Sequence, residues 1–224
     1  MVLGPRSPAE FLPFVSLPEV HHLGHTFLAK GDAAFQFGAL IADGVRGAQE
    51  KLLPAPIAAG VAFHRQIDWQ TDRHPAFRQA RALLRPASGR YAGVFVDLWL
   101  DATLGENWSA LSAFPLPPFI EALQEAIRAY RHHGPPTWEA FFRAATETDL
   151  FYRFASYEGM SKHVYDFISR RHLPLSPALV VHTLHACQSQ LESLLMAFWQ
   201  EARHWQPSTP PSHSELYPSS PPDS

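Results

Sequence analysis

One segment constrains the fold more than any other. Residues 94–104 read VFVDLWLDATL. Wound as a helix, this segment is apolar on nearly all sides. Val94, Phe95, Leu98, Trp99 and Leu100 surround two aspartates, Asp97 and Asp101, set one turn apart. A helix that is apolar almost all round is buried, so the rest of the chain must enclose it. The two carboxylates then need partners, because an unpaired buried charge is costly or neutralises. Each could find an arginine or cap a helix. Alternatively a divalent cation could relieve the repulsion between them.

The enclosing elements read as helices too. Alternating β-branched runs with Asn-Gly or Asp-Gly turns are absent, while Ala, Leu, Phe, Gln and Arg abound. Helices are predicted over 33–45, 56–70, 75–84, 90–111, 117–132, 137–154, 160–171 and 177–205. Several begin with Pro near the first turn, where its missing N–H does no harm. Thr137 and Ser176 are the expected N-caps. With 46% hydrophobic residues, 16 Phe and 6 Trp in 224 residues, the chain can build a sizeable core. The fold class expected is all-α, a single-domain multi-helix bundle over 21–205. Residues 1–20 are Pro-broken and read as irregular. Residues 206–224, mostly Pro and Ser, cannot bury enough apolar surface to offset ordering and read as disordered.

Composition excludes several functions. Only 17% of residues are charged and the net charge is −3, which argues against nucleic-acid binding. The single cysteine, Cys187, rules out an intrachain disulfide or a multi-Cys metal site. The first twenty residues do not read as a signal peptide. The longest uncharged run, 173–191, holds Pro174, Pro177, His182 and His185, so no membrane span is expected. A cytoplasmic location follows as the expectation.

Three further segments carry chemistry. In AFHRQIDWQTD, residues 62–72, His64, Asp68 and Asp72 are spaced by four and share one helix stripe. In GALIADGVRG, residues 38–47, Asp43 is followed by Arg46. In Leu23-Gly24-His25 the histidine is the candidate. Two imidazoles with several carboxylates suit Mn, Fe, Zn or Mg, and such an ion activates water and clamps a phosphate. Arg46 and Arg65 could grip phosphate oxygens as bidentate forks. Each piece alone also has an ordinary reading: an exposed His64–Asp68 helix pair, or an Asp43–Arg46 salt bridge. Of the 13 histidines, His21, His22, His132, His133, His172, His182, His185, His204 and His213 read as structural or solvated.

Taken together and in order, these segments resemble the acyl carrier protein phosphodiesterase (acyl carrier protein hydrolyase) family, regarded as a divergent relative of the HD phosphohydrolases. Leu23-Gly24-His25 is similar to its Leu-Ala-His, and residues 42–47, ADGVRG, to its Ala-Asp-Phe-x-Arg-Gly. Residues 64–72, HRQIDWQTD, match His-Arg-x-Ile-Asp-x-x-Thr-Asp in full. Asp97, Asp101, Leu104 and Trp108 follow its Asp-x-x-x-Asp-His-x-Leu with a later Trp. The resemblance runs from about 23 to 205 and is thin after about 115. Ala102 stands where the family has His, Ala39 where it has Asn, and Gly44 where it has Phe.

The resemblance implies an all-helical, HD-phosphohydrolase-like fold. It implies hydrolysis of the phosphodiester joining 4′-phosphopantetheine to a serine of holo acyl carrier protein, and a divalent metal, typically Mn, with Mg, Fe or Zn as alternatives. By position, His25, Asp43, His64, Asp68, Asp97 and Asp101 are the expected metal ligands. Arg46 and Arg65 are expected at the substrate, and Asp68, Asp72 and Arg65 are the expected catalytic residues. The alternative, prompted by Ala102 and Ala39, is a homologue that binds carrier protein or a phosphorylated metabolite without efficient turnover. An acidic carrier helix would need a basic surface; Arg78, Arg81, Arg85 and Arg90 offer either that or a solvated helix face.

Overall fold

The structure is a computed structural model that describes residues 22–207. The expectations for 1–20, and for 206–224 beyond Pro207, lie outside the described residues. Within them are twelve α-helices and no strand, so the all-α bundle is what the chain forms. The helices are α1 (His22–Leu28), α2 (Ala33–Ile41), α3 (Ala55–Arg73), α4 (Pro75–Ser88), α5 (Ala92–Glu106) and α6 (Trp108–Leu111). They continue as α7 (Leu116–Tyr130), α8 (Glu139–Glu147), α9 (Leu150–Phe154), α10 (Tyr157–Arg170), α11 (Pro177–Ala186) and α12 (Gln188–Ala202). No helix among the described residues is long and apolar enough to cross a membrane.

The apolar segment forms α5, and α5 is the axis of the bundle. Phe95, Val96, Leu98, Trp99, Leu100, Ala102 and Leu104 are all at most 2% exposed. Helices α1, α4, α9, α10 and α12 pack around them. Each large apolar side chain taken from water here stabilises the fold by roughly 1.5–3 kcal/mol. Trp99 stacks on Tyr157 of α10 at 4.9 Å.

Helices α2 and α3 touch backbone to backbone. A Cβ on Gly38 would lie 2.1 Å from the Ile57 carbonyl oxygen, and one on Gly60 would lie 2.1 Å from that of Phe35. Only glycine at both positions lets the helices meet this closely. Asp32 starts α2, its carboxylate accepting the Phe35 amide at 2.8 Å. Pro56, in the first turn of α3, follows the helix-start preference.

The structure divides three predicted helices. The one over 90–111 ends at Asn107, whose side-chain amide donates to the Thr103 carbonyl at 3.1 Å and to Glu192 at 2.9 Å. This local competition for backbone groups ends the helix. The span 137–154 breaks at Thr148, and 177–205 breaks at Cys187. Ser176 caps α11 as expected, accepting the Leu179 amide. The expected Thr137 cap is corrected: Thr137 lies inside a 3-10 turn, Pro136–Trp138, and α8 starts only at Glu139. The turn that Pro136 begins displaces the helix start.

Candidate metal centre

The close α2–α3 packing sets the first element of the site. It brings the Ala39 carbonyl of α2 to 2.7 Å from His64 Nδ1 on α3.

 The carbonyl of Ala39 can only accept, so Nδ1 carries the proton and Nε2 of a neutral His64 presents its lone pair. This is the arrangement by which a backbone carbonyl orients a metal-ligating histidine. The His64 side chain is 2% exposed.

Three groups converge on that lone pair. Asp68 Oδ2, one turn on along α3, lies 3.3 Å from His64 Nε2, and Asp43 Oδ2 lies 3.4 Å away. His25 of α1 stacks its ring on that of His64, with centroids 3.7 Å apart, and its Nε2 is 2.9 Å from Asp68 Oδ1. Each of His25, His64 and Asp68 can offer a ligand atom within 4.8 Å of the other two. His64 Nε2 and Asp43 Oδ2 are buried and have no hydrogen-bond partner. Two orphaned buried acceptors facing each other call for a cation or a proton between them. The residues therefore fit a divalent ion of the borderline-to-hard kind.

Electrostatics points the same way. Burial alone would lower the His64 pKa, but the carboxylates of Asp68 and Asp43 outweigh it and push it up to about 10. Burial alone would raise Asp68, yet His64 and His25 hold it well below the usual carboxylate range. Asp43 is lowered in the same way, His64 outweighing burial. The pocket thus draws positive charge, and without a metal a proton on His64 fills that role.

The other expected residues sit differently. Both Asp101 oxygens accept backbone amides at the start of α1, from Leu23 at 2.9 Å and Gly24 at 2.7 Å. The carboxylate from α5 is thus the N-terminal anchor of the helix that carries His25. Gly24 makes room for it, since a Cβ there would lie 3.0 Å from Asp101 Oδ1 and 2.8 Å from the Trp199 ring. Asp97 is not part of the converging set. Burial pushes its pKa well above the usual range, and the charges of Asp68 and Asp72 add to that. Asp72 pairs with Arg81 at 3.1 Å. Arg65 is held by Glu50 through two hydrogen bonds of 2.8 and 2.9 Å. Arg46 is exposed, three residues after Asp43.

Sequence reasoning did not single out Glu50 or the Ala39 carbonyl, and it left helix capping open for Asp97 and Asp101 without saying which helix Asp101 caps. None has a local signal, since each acts on a partner distant in sequence. Three other histidines make contacts within the fold. His74 Nδ1 accepts the Ala76 amide at the start of α4. His185 meets Ser161 at 2.8 Å. His163 packs on Phe154, and burial lowers its pKa to about 4.

Fold and site together define an all-helical protein with two buried imidazoles facing half-buried carboxylates, a group that could hold a metal ion. A family model described as acyl carrier protein phosphodiesterase matches residues 20–202, and the chain belongs to that family. Among its relatives are acyl carrier protein phosphodiesterases of Escherichia coli strains SMS-3-5 and 55989 / EAEC. Each is 36% identical over 118 residues, which cover 52% of this chain and 61% of the relative. The matched part of the chain thus spans about 61% of the length of these relatives. No solved structure matches the chain.

Proposed function

We propose that this chain is a cytoplasmic, metal-dependent phosphodiesterase that hydrolyses the bond between 4′-phosphopantetheine and a serine of holo acyl carrier protein. The observation that carries this reading is the convergence of His25, His64 and Asp68, with Asp43 Oδ2 and His64 Nε2 left without hydrogen-bond partners. Family membership supplies the substrate class.

In this reading His25, His64 and Asp68 hold a divalent cation, Mn foremost, with Asp43 beside it. The cation, when bound, supplies Lewis acidity towards the phosphoryl oxygens and the attacking water. The Ala39 carbonyl keeps His64 in the tautomer that binds metal. Asp43 offers an acceptor that can orient water. Arg46, exposed three residues after Asp43, receives phosphate oxygens in this reading. Arg65 can do so only by leaving Glu50, so its first role is to hold the 47–52 turn against α3. Hydrolysis adds the water oxygen to phosphorus and returns a proton to the serine oxygen, releasing 4′-phosphopantetheine and apo carrier protein.

A second reading is a homologue that binds carrier protein with slow turnover. It is favoured by Ala102, which is fully buried and has no proton to give where the resemblance has His. Losing a general acid costs about 10² to 10⁴ in rate. Incubating the purified protein with holo acyl carrier protein and Mn decides between them. Release of 4′-phosphopantetheine that stops with EDTA is expected. Binding without release would favour the second reading, and neither outcome would sink both.

A further inference from the structure

Arg65 follows His64 on α3, and its guanidinium is already occupied. Nη1 and Nη2 donate to the two carboxylate oxygens of Glu50, at 2.8 and 2.9 Å. Nη2 also reaches the Val45 carbonyl at 3.5 Å. That third contact fixes where the fork lies. Two residues before Val45, Asp43 brings its Oδ2 to 3.4 Å from His64 Nε2. The guanidinium therefore borders the short segment that also supplies Asp43 to the candidate centre.

Glu50 is held lightly. It belongs to the 3-10 turn Gly47–Leu52, in which no side chain is buried. Leu52 is 82% exposed. Gly47 has φ 58°, and a Cβ there would meet nothing within 4 Å. The backbone bonds here are local, from the Gln49 amide to the Arg46 carbonyl and from the Leu53 amide to the Glu50 carbonyl. Among the described residues, the side-chain hydrogen bonds that tie this turn to α3 are those between Glu50 and Arg65. Both side chains are about one-third exposed, and an ion pair in that setting is weak because water competes for it. Letting go of Arg65 pulls no side chain of the turn out of the core.

The shape of the fork limits what can displace Glu50. A guanidinium grips two oxygens carried on one atom. A carboxylate presents that arrangement, and so do the two non-bridging oxygens of a phosphodiester.

We propose that Glu50 is an internal stand-in for the substrate's phosphate: it holds the Arg65 fork in the free protein and yields it to the phosphodiester when substrate enters. This rests on the phosphodiesterase reading above, and adds to it a specificity-determining residue that acts through Arg65. Glu50 admits to the fork only an anion with two oxygens on one centre and enough hold elsewhere in the site to displace a tethered carboxylate. It retakes the fork as the phosphate-bearing product leaves.

The test is a double-mutant cycle on phosphate affinity. Inorganic phosphate is titrated calorimetrically, in the presence of Mn, into the full chain, Glu50→Ala, Arg65→Ala and the double variant. Thermal melting checks that each is folded, and Glu50→Gln repeats the single change at nearly constant volume. Release of 4′-phosphopantetheine from holo acyl carrier protein by the full chain is followed in parallel. Loss of Glu50 should tighten phosphate binding by about two- to fivefold, the scale of a part-exposed ion pair. Arg65→Ala should weaken it by at least about tenfold, the scale of a hydrogen bond to a charged group. In the Arg65→Ala background, loss of Glu50 should change nothing, since no fork remains to be freed. Unchanged or weaker binding in Glu50→Ala overturns the proposal, as does an Arg65→Ala that binds phosphate as tightly as the full chain. Equal tightening with and without Arg65 also overturns it, because Glu50 then acts only as a nearby negative charge. Absence of phosphate binding in all four proteins sinks it too. None of these results touches the phosphodiesterase reading if the full chain releases 4′-phosphopantetheine. Without that release the reading fails, and the cycle still decides whether Glu50 guards Arg65.

Discussion

Two pairs of side chains share the same spacing and meet opposite fates. His64 and Asp68 lie one turn apart on α3, and Asp97 and Asp101 lie one turn apart on α5. The α5 pair sits in the more apolar helix, and by burial alone it makes the stronger metal candidate. Yet it is the α3 pair that converges with a third candidate ligand, His25. On α5, Asp101 is consumed by the amides of Leu23 and Gly24. Spacing places two groups on one face of a helix, but the neighbouring helix decides what that face meets. Opposite α3 stand an imidazole and the Asp43 carboxylate; opposite Asp101 stands the open end of α1, which presents donors that only an acceptor can satisfy.

The contrast can be broken most directly at Asp68. Asp68→Asn should weaken Mn binding by at least about 100-fold, the scale on which even supporting groups around a metal act, with the fold retained. Isothermal titration with Mn and a circular dichroism spectrum check both halves. Unchanged Mn affinity would remove α3 from the site.

Asp101→Ala should do the reverse. It strips two buried amides of their acceptor, at about 2–4 kcal/mol, and this is read as a lower urea midpoint. Mn binding should fall less than in Asp68→Asn, since α1 frays without α3 losing its ligands. If instead Asp101→Ala removes the metal at unchanged stability, Asp101 is a ligand and the contrast collapses.

Gly60→Ala tests the joint beneath the α3 pair. Its new methyl meets the Phe35 carbonyl, and overpacking of this kind costs about 1–3 kcal/mol. The helices must part, carrying the Ala39 carbonyl away from His64 Nδ1. Both the melting temperature and Mn affinity should drop, and a variant that loses neither would show that the close approach does not set the site.

The smallest effect is on pH. The pKa of metal-free His64 is raised to about 10 from about 6.5 unfolded. Its contribution to stability is therefore fully present below pH 6.5 and lost as pH rises towards 10. Urea melts in EDTA across that range should show a decline that His64→Gln lacks. Mn affinity should rise over the same range, because the ion displaces a proton. A pH-independent melt would mean that His64 is neutral without metal.

Much of this was legible in the sequence, and the rest was hidden for identifiable reasons. The burial of α5, the helical class and the α3 stripe follow from periodicity within a single element. Helix α1 does not, because its cap is Asp101, 78 residues away, and no local residue announces it. His25 stands out among 13 histidines only through its resemblance to a Leu-Ala-His segment. Arg65 is written like a phosphate fork, but its partner Glu50 lies in a turn with no periodicity to place it. The end of α5 at Asn107 depends on Glu192 of α12, which packing alone brings there.

Gly44 leaves one more consequence. Any side chain there would run into Pro135, at 2.5 Å from its Cγ, and into Trp138, at 2.7 Å. Positions 44 and 138 therefore share a single volume, and this chain has given it to the indole. Relatives that carry Phe at the first position should carry a smaller residue at the second. The two ought to trade size across the family, a covariation that records packing around Asp43 rather than any chemistry at the candidate centre.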